Sequence, residues 1–348
     1  MRRTIEWKEN KVIMIDQRKL PHSLEMITCK NHHEVADAIK KMVIRGAPAI
    51  GAAAAYGMAL AAINIHSDNM PEFLQELEKA RNELSLTRPT AVNLFWAIKE
   101  IWDIIESEKF SISDIRANIL LKAEQIAEQD IQTNYMIGNN GVELFDDGDN
   151  ILTHCNAGSL ATVFFGTALG VIRSVFEKKK NIKVFVDETR PVLQGARLTA
   201  WELQSEKIPI TLICDSVAGF LMFEKKINKV IVGADRITSN GDVANKIGTY
   251  SLSVLAKEHK IPFYVAAPFS TIDFSIKRGN EITIEERDKE EVTNIMGQSI
   301  APIGIDVYNP AFDITPNKNV YAIITEKGII TPPFLTNLKK VNKNNLMQ

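Results

Sequence analysis

The feature that most constrains the fold is an alternation of short β-rich runs with helical stretches, which begins after Gly148. The β-rich runs are 151–153, 184–186, 210–213, 230–232 and 262–265. The helical stretches between them start near Ser159, Leu193, Ser216 and Asn245. Such an alternation is typical of βαβ units, so the sequence predicts an α/β fold with a doubly wound parallel sheet.

The first 147 residues show a different pattern. Two β-rich runs, 4–7 and 12–15, flank a polar Glu9-Asn10 turn and predict a β-hairpin. Beyond the hairpin, apolar residues recur at helical spacing. With 348 residues and 45% hydrophobic content, the chain can build two cores. We therefore expect a mainly helical N-terminal domain with a hairpin at 1–147 and a parallel-sheet domain at 148–348.

Charge and cysteine content limit the partners of the chain. Forty-one basic and 43 acidic residues give a net charge of −2, so no global field draws the chain onto nucleic acid. The polar N-terminus lacks the apolar core of a signal peptide. Cys29, Cys155 and Cys214 form no CxxC pair, which argues against a disulfide framework or a zinc site. We expect a cytoplasmic protein without a nucleic-acid partner.

The segment 47–65 is the longest apolar stretch of the chain. It consists mostly of alanine and glycine and includes Pro48, whereas a membrane span needs about 20 strongly apolar residues. We interpret this segment as a buried helix and expect no membrane partner.

Polar clusters follow directly after the predicted strands, at 154–156, 187–190, 215–216 and 233–236. Ligands of doubly wound sheets bind at the carboxyl ends of the strands, so these clusters predict a functional site at that edge. The sequence contains neither a GxGxxG dinucleotide fingerprint nor a metal-ligand motif. We therefore expect no cofactor and no metal.

Two arginines near helix starts suggest an anion site. Arg45-Gly46-Ala47 precedes an alanine-rich helix, whose free amides can bind a phosphate together with the guanidinium. The segment is not a nucleotide P-loop, because Ala52 follows Gly51. The alternative is a tight packing turn with a surface arginine. Arg88, before Pro89-Thr90, is a candidate for phosphate binding only together with Arg45, since most such arginines are solvated or pair with a carboxylate.

Cys155 and Asp235 are the candidates for chemistry. Cys155 follows a strand and opens a predicted helix, whose terminal amides would favour a thiolate. The alternative for Cys155 is a small buried thiol. Asp235 stands at the tip of an apolar strand, where a partly desolvated carboxyl can stay protonated and act as an acid or base. The alternative for Asp235 is a turn cap or an ion pair with Arg236.

Three further polar residues suit a sugar phosphate. Asn245 and Lys246 are predicted to start a helix with an amide and a cation, although this segment could equally be an N-cap with surface residues. Gln194 could bind a hydroxyl from the loop that follows the second strand. In that loop, a salt-bridge network among Asp187, Glu188 and Arg190 is an equal alternative.

Eight segments, in order over nearly the whole chain, resemble the methylthioribose-1-phosphate isomerase family. They are 45–57, 85–97, 152–172, 187–203, 232–268, 284–288, 309–316 and 322–330. The resemblance implies an enzyme of methionine salvage that converts 5-methylthioribose 1-phosphate into 5-methylthioribulose 1-phosphate. It also implies a Rossmann-like C-terminal domain and a homodimer.

The resemblance carries over to individual residues. Cys155 matches a cysteine that assists the transition state, and Asp235 matches a proton-donating aspartate. The matches to substrate-binding positions are Arg45, Gly46, Ala47, Arg88, Gln194, Asn245 and Lys246.

The implied reaction needs an acid and a second group. A phosphate on the anomeric oxygen prevents simple equilibration with the free aldehyde, so the enzyme must open the ring and then move hydrogen from C2 to C1. Asp235 could protonate the ring oxygen. Cys155 could act as a base that forms an enolate, or could polarise the centre during a hydride shift. The sequence leaves both routes open.

Three other functions compete with this one. A sibling isomerase would act on 5-deoxyribose 1-phosphate or ribose 1,5-bisphosphate; Trp7, Phe95 and Phe164 are candidates for an apolar slot at C5. A non-catalytic protein would resemble the regulatory subunits of a eukaryotic translation-initiation exchange factor, but the intact Cys155 and Asp235 argue against this role. An NAD(P)-linked oxidoreductase would need the glycine fingerprint that is missing.

Overall fold

The computed structural model describes residues 2–88, 92–107, 111–178 and 180–345. The chain forms two compact units. The first comprises Met1–Asn134 and Gly158–Gly166, and the second comprises Tyr135–Ala157 and Thr167–Gln348. The division into domains at 147/148 stays a prediction; the second compact unit already begins at Tyr135.

The first unit opens with a three-stranded antiparallel sheet. Its strands are β1 (Ile5–Lys8), β2 (Lys11–Ile15) and β3 (Met26–Cys29). Glu9 and Asn10, with φ angles of 51° and 56°, form the turn between β1 and β2. Two left-handed residues match the twist of a two-residue hairpin, so the predicted hairpin is confirmed.

Helices form the rest of the first unit: α1 (His32–Lys40), α2 (Ala47–Asn64), α3 (Met70–Ser85), α4 (Val92–Ser107) and α5 (Ile112–Gly141), whose last turns belong to the second unit. Among the described residues, α2 is the one helix long and apolar enough to cross a membrane, and 78% of it is buried. The core helix of a globular unit has the same length and composition. Alanine at most core positions lets neighbouring helices approach α2 closely, as the prediction of a buried helix requires.

The second unit contains the remaining strands and helices. The strands are β4 (Asn150–Thr153), β5 (Lys183–Asp187), β6 (Ile210–Ile213), β7 (Lys229–Val232), β8 (Arg236–Thr238), β9 (Val243–Lys246), β10 (Phe263–Ala266), β11 (Ile272–Asp273), β12 (Asn294–Ile295), β13 (Gln298–Ser299), β14 (Phe312–Thr315), β15 (Ala322–Thr325) and β16 (Gly328–Ile330). The helices are α6 (Ala168–Glu177), α7 (Ala200–Ser205), α8 (Ala218–Phe223), α9 (Thr249–Glu258), α10 (Glu290–Thr293) and α11 (Phe334–Asn345).

The main sheet has the order β16-β15-β10-β7-β4-β5-β6. All neighbours pair in parallel except β15 and β16. The first strand, β4, lies in the middle, with the next two strands on one side and the later strands on the other. This is the order of a doubly wound sheet, with its topological switch point between β4 and β7. The predicted fold class and the five predicted strands are confirmed.

Two predicted helix starts are wrong. Near Ser159 the chain forms only a short 3-10 turn, and the next α-helix begins at Ala168. Asn245 and Lys246 end β9, which belongs to a second sheet of order β11-β8-β9-β14, and α9 begins only at Thr249. Gly248, with a φ of 103°, makes the left-handed turn between β9 and α9 that a side chain would disfavour.

A carboxylate from α5 holds an irregular segment of the first unit. The Asp130 carboxylate accepts the backbone N–H of Val163 at 2.7 Å and also that of Phe164. Asp130 is half-buried as a whole, and Val163, whose N–H it accepts, is fully buried. Burial of the carboxyl raises the pKa of Asp130 to about 7, although the donated hydrogen bonds oppose this shift.

This raised pKa predicts a pH-dependent contribution to stability. An acid whose pKa is raised by folding favours the folded state at low pH, and this contribution disappears as the pH rises through about 7. We expect the free energy of unfolding, relative to Asp130→Asn, to fall by at most about 4 kcal/mol between pH 4 and 8. Urea unfolding at several pH values measures this difference. The free energy of unfolding of the exposed control Asp68→Asn should depend on pH as that of the unaltered protein does. The same pH dependence in Asp130→Asn would mean that Asp130 does not cause it.

Candidate active site

The loop after β4 carries Cys155 in a left-handed backbone conformation, with a φ of 63°. Two threonine hydroxyls hold this conformation. The Cys155 N–H donates to Oγ1 of Thr189 at 2.8 Å, and Oγ1 of Thr199 donates to the Cys155 carbonyl at 2.6 Å. The helix predicted to start near Ser159, whose terminal amides would favour a Cys155 thiolate, does not form: Cys155 has a left-handed backbone, and only a 3-10 turn follows at Ser159–Ala161. The half-buried thiol lies on a turn whose backbone groups are both satisfied.

The residues on either side of Cys155 are also anchored. Asn156 donates through Nδ2 to Oε1 of Glu202 at 2.8 Å and to Oγ1 of Thr199 at 3.1 Å. Glu202 in turn pairs with Arg173 at 2.7 Å, and both side chains are almost fully buried. Buried groups with satisfied hydrogen bonds restrict movement of the backbone that carries them. The position of Cys155 is thus fixed from both sides.

The imidazole of His154 is bonded at both nitrogens. Its Nδ1 lies 2.9 Å from Oδ2 of Asp187, at the end of β5, and its Nε2 lies 2.9 Å from the carbonyl oxygen of Ile247. Both side chains of the ion pair are 1% exposed. Burial disfavours the charged ring, but Asp187 and the Ile247 carbonyl outweigh it and raise the pKa of His154. Burial raises the pKa of Asp187 to about 6, although His154 opposes this shift.

The loop after β7 carries Asp235 beside the Cys155 loop. A Cβ on Gly233 would lie 2.7 Å from the Cβ of Ala157, so the two loops approach to a distance that requires glycine. Asp235 is half-buried, and its N–H donates to the Ala244 carbonyl at 2.9 Å. Arg236 pairs with Asp273 at 3.5 Å. Cys155 and Asp235 thus follow the two strands that flank the switch point, where doubly wound sheets bind ligands.

Gln194 lies in the loop after β5, before a π-helical turn at Gly195–Thr199. The side chain is 7% exposed, and its Oε1 has no hydrogen-bond partner among the residues that the structure describes. A buried acceptor without a partner costs about 1–3 kcal/mol, which a ligand or water can offset. The alternative of a self-neutralising network does not describe this loop, because Asp187 pairs with His154 and the Arg190 guanidinium donates to carbonyl oxygens.

Asn245 and Lys246 lie at the carboxyl end of β9, in the second sheet. Asn245 is 6% exposed and donates through Nδ2 to Oγ1 of Thr249 at 3.1 Å. The Lys246 ammonium donates to the Ala311 carbonyl at 2.9 Å and lies 4.7 Å from the centre of the Phe312 ring. These contacts place a buried amide and an oriented cation in consecutive positions.

The arginine segments of the first unit flank two neighbouring helix starts. Gly46, with a φ of 90°, is the N-cap of α2, and a Cβ there would lie 2.3 Å from the carbonyl oxygen of Ala161. Glycine is thus required both by the backbone angle and by close packing. Arg45 and Ala47 flank it and are half-buried. Arg88 is half-buried too, whereas the predicted helix start at Pro89-Thr90 lies outside the described residues.

The N-terminal parts of α2 and α4 pack together. A Cβ on Gly51 would lie 2.9 Å from the Asn93 carbonyl oxygen, in the first turn of α4. The Arg45 and Arg88 segments therefore precede two helices that touch near their starts. This arrangement accords with an anion site.

Two groups of side chains have the spacing of metal ligands, within the part of the chain that the structure describes. They are His32, His33 and Glu83 in the first unit, and His154, Asp187 and Asp215 in the second. In the second group both His154 nitrogens and Oδ2 of Asp187 already bind protein groups, whereas Oδ1 of Asp187 has no hydrogen-bond partner among the described residues. The Asp215 carboxylate accepts the N–H groups of Thr189 and Arg190 at 2.8 Å each. That group adjoins a cavity of about 470 Å³ whose lining includes neither Cys155 nor Asp235. The absence of a metal from the site stays a prediction.

Among the described residues, those that support the site although the sequence did not single them out for a role there include His154, Asp187, Thr189 and Thr199. His154 and Asp187 belong to the polar clusters after the first two strands, so the strand-end pattern did contain them. Thr189 belongs to the same cluster as Asp187, whereas Thr199 carried no signal, because a threonine that bonds a distant backbone group looks like any other threonine in the sequence.

The chain matches the model of the initiation factor 2 subunit family over residues 43–332. A relative from Desulforamulus reducens, named methylthioribose-1-phosphate isomerase, is 53% identical over 338 residues, which cover 97% of this chain and 98% of the relative. A protein of the same name from Acetivibrio thermocellus is 56% identical over 337 residues, with coverages of 97% and 98%.

Two solved structures are similar over nearly their whole length. The 5-methylthioribose 1-phosphate isomerase from Pyrococcus horikoshii has a TM-score of 0.95 and 49% identity, and the match covers 99% of this chain and 97% of that one. A structure from A. fulgidus described as translation initiation factor eIF-2B, subunit delta, has a TM-score of 0.89 and 50% identity, with coverages of 99% and 100%. The chain therefore belongs to the initiation factor 2 subunit family, and the resemblance found from the sequence is confirmed.

The hydrogen bonds around Cys155 predict the effect of removing one hydroxyl. Thr199 is fully buried, and Thr199→Val would leave the Cys155 carbonyl and the Asn156 amide without this partner. We expect the free energy of unfolding to fall by about 1–3 kcal/mol, as measured by urea denaturation.

Thr315→Val is the matched control. Thr315 is also fully buried, but its hydroxyl has no hydrogen-bond partner among the described residues. Replacing an unpaired buried hydroxyl with a methyl group should be neutral or stabilising. Equal losses for both variants would mean that the hydrogen bonds to the Cys155 turn do not stabilise it.

Proposed function

We propose that this chain is an aldose–ketose isomerase that converts 5-methylthioribose 1-phosphate into 5-methylthioribulose 1-phosphate. The observation that carries the proposal is the position of a thiol and a carboxyl group, Cys155 and Asp235, on the two loops that flank the switch point of the sheet. The curated relatives with 52–56% identity that are named for this activity support the substrate.

Asp235 is the proposed acid that opens the sugar ring. In its protonated form it donates a proton to the ring oxygen while the bond between that oxygen and C1 breaks. The hydrogen on C2 then moves to C1, the C2 hydroxyl loses its proton, and a C2 carbonyl forms. Cys155 assists this transfer, either as the base that takes the C2 proton or by stabilising charge during a hydride shift. Both routes give the same ketose 1-phosphate.

The proposed substrate-binding residues supply matching chemistry. Arg45 and Arg88, near the starts of α2 and α4, would bind phosphate oxygens, and the Gly46 and Ala47 amides would add backbone donors. Oε1 of Gln194, which has no hydrogen-bond partner in the described part of the chain, would accept a hydrogen bond from a sugar hydroxyl. Two further ligands, Asn245 and Lys246, would come from the end of β9.

The wider setting of the reaction is part of the same proposal. We assign the chain to methionine salvage as a cytoplasmic homodimer that acts without metal or cofactor. Its substrate is a small sugar phosphate, and we propose neither a nucleic-acid nor a membrane partner. These assignments follow the sequence resemblance and a net charge of −2.

Turnover of three sugars tests the substrate. The purified protein should show its highest kcat/KM on 5-methylthioribose 1-phosphate, compared with 5-deoxyribose 1-phosphate and ribose 1,5-bisphosphate, without added cofactor. A higher kcat/KM on another sugar would identify the protein as a sibling isomerase with that substrate. The absence of turnover on all three would favour a non-catalytic role; the similar A. fulgidus structure is described as a translation initiation factor subunit.

Two substitutions test the proposed chemistry. Cys155→Ser and Asp235→Asn should each lower kcat by about 10²–10⁴-fold, because each removes a group that exchanges a proton or stabilises charge in the transition state. Circular dichroism checks that the variants fold. Cys214→Ser and Asp306→Asn are the matched controls, since both residues are exposed, and they should keep kcat within a factor of two. Normal turnover of folded Asp235→Asn would refute the acid role.

A further inference from the structure

His154 directly precedes Cys155, yet its ring cannot serve the substrate. The side chain is 1% exposed, and each nitrogen lies 2.9 Å from an oxygen of the protein. The Ile247 carbonyl can only accept a hydrogen bond, so Nε2 must carry a proton. With Nδ1 bonded to Asp187, the ring has no free position for proton exchange with a ligand.

The ring joins three separate segments of the second unit. His154 belongs to the turn that carries Cys155, Asp187 ends β5, and Ile247 follows the pair Asn245-Lys246 at the end of β9. The His154–Asp187 contact spans 33 positions of the sequence, and the His154–Ile247 contact spans 93. One buried side chain thus connects the turn at Cys155, called the thiol turn below, to Asn245 and Lys246, which are predicted to bind the substrate.

The segment after β9 is shaped to receive this ring. A Cβ at Gly248 would lie 2.9 Å from Cε1 and 3.0 Å from Nε2 of His154, so only glycine leaves room for the imidazole. Gly248 also has a φ of 103°. Its N–H donates to Asp313 at 2.7 Å, which is a further constraint on the turn. The contact between the ring and this turn is therefore tightly packed as well as hydrogen-bonded.

We propose that the His154–Asp187 pair is a positioning device that sets Cys155 and the Asn245-Lys246 pair in one catalytic arrangement. The pair acts through geometry: Asp187 orients the ring, and the ring orients the turn after β9. This inference rests on the proposed isomerase function. A displacement of about 1 Å at a catalytic group can lower the rate about 10²-fold. Loss of the bridge, meaning the contacts of His154 with Asp187 and Ile247, should therefore affect both kcat and KM.

The charges around the pair are compatible with this role. Asp215 and Asp313 face the ring with negative charge, and Glu188 acts on Asp187. A buried pair that loses one partner leaves an uncompensated polar group, so some substitutions here will reduce stability for that reason alone. The test must therefore separate positioning from stability.

Two substitutions at Asp187 make this separation. In Asp187→Asn the amide can donate to Nδ1 of a neutral ring, which keeps its Nε2–H bond to Ile247, so the bridge survives. In Asp187→Val the ring loses its orienting partner. We expect kcat/KM to fall by less than about 5-fold in Asp187→Asn and by about 30–100-fold in Asp187→Val, with a raised KM for the sugar phosphate. His154→Gln should resemble Asp187→Val, and the double variant should be no worse than either single one.

Asp149→Val is the matched control at the opposite end of β4. Asp149 is also a buried carboxylate, held by Asn228 and the Asp146 N–H, so its loss should reduce stability and leave kcat/KM within about 3-fold. All variants are assayed about 10 °C below their own Tm. Equal kinetic losses in Asp149→Val and Asp187→Val, or wild-type kinetics in both Asp187→Val and His154→Gln, would overturn the proposal.

A second readout does not depend on turnover. The rate of alkylation of Cys155 by iodoacetamide should change at least 3-fold in Asp187→Val and His154→Gln but not in Asp149→Val, because only the first two release the thiol turn. All variants carry Cys214→Ser, which removes the exposed competing thiol. If the protein with an intact His154–Asp187 pair turns over none of the three sugars, but the alkylation rate changes as expected in Asp187→Val and His154→Gln, the proposed function fails and the positioning role stands. An unchanged alkylation rate in both bridge variants would overturn the positioning role.

Discussion

The parallel pairing of β4 with both β5 and β7 is the constraint on which the site in the second unit depends. Parallel strands that are neighbours end at the same edge of a sheet, so the loops after β4, β5 and β7 meet there. Each loop is then free to be polar while the strands remain buried. The thiol of Cys155, the carboxyl of Asp235 and the amide of Gln194 all stand on these loops.

Hydrogen bonds from distant segments fix the conformation of the thiol turn. Cys155 adopts a left-handed backbone that costs about 1–3 kcal/mol for a residue with a side chain. Thr189 and Thr199 bond its N–H and its carbonyl, and His154 and Asn156 are held by buried charged partners. Strain of this kind persists only where its surroundings determine it, and it concentrates at functional sites.

The sequence predicted the central strands because they carry a strong local signal. Strands of a parallel sheet are buried on both faces, so they read as short continuous apolar runs. The second sheet lacked this signal: β8 and β11 are only two or three residues long, and β9 resembles a helix start because Gly248-Thr249 follows it. The antiparallel β16 is similarly short and half-buried.

The candidate site was predicted by position and not by conformation. The polar clusters after the strands predicted a site at this edge of the sheet and marked Cys155 and Asp235 as candidates for chemistry, whereas their specific parts in the isomerase reaction came from the family resemblance. The left-handed turn at Cys155 could not be foreseen, because the hydroxyls that hold it lie 34 and 44 residues away in the sequence. Non-local contacts of this kind leave no periodic signal.

A crystal structure with bound 5-methylthioribulose 1-phosphate would show whether Asp235 and Cys155 contact the reacting atoms of the sugar. We expect a carboxyl oxygen of Asp235 to lie within about 3 Å of the sugar oxygen that closes the ring, and Sγ of Cys155 to contact C1 and C2. Binding of the sugar phosphate away from both residues would contradict the assignment of Cys155 and Asp235 to the chemistry.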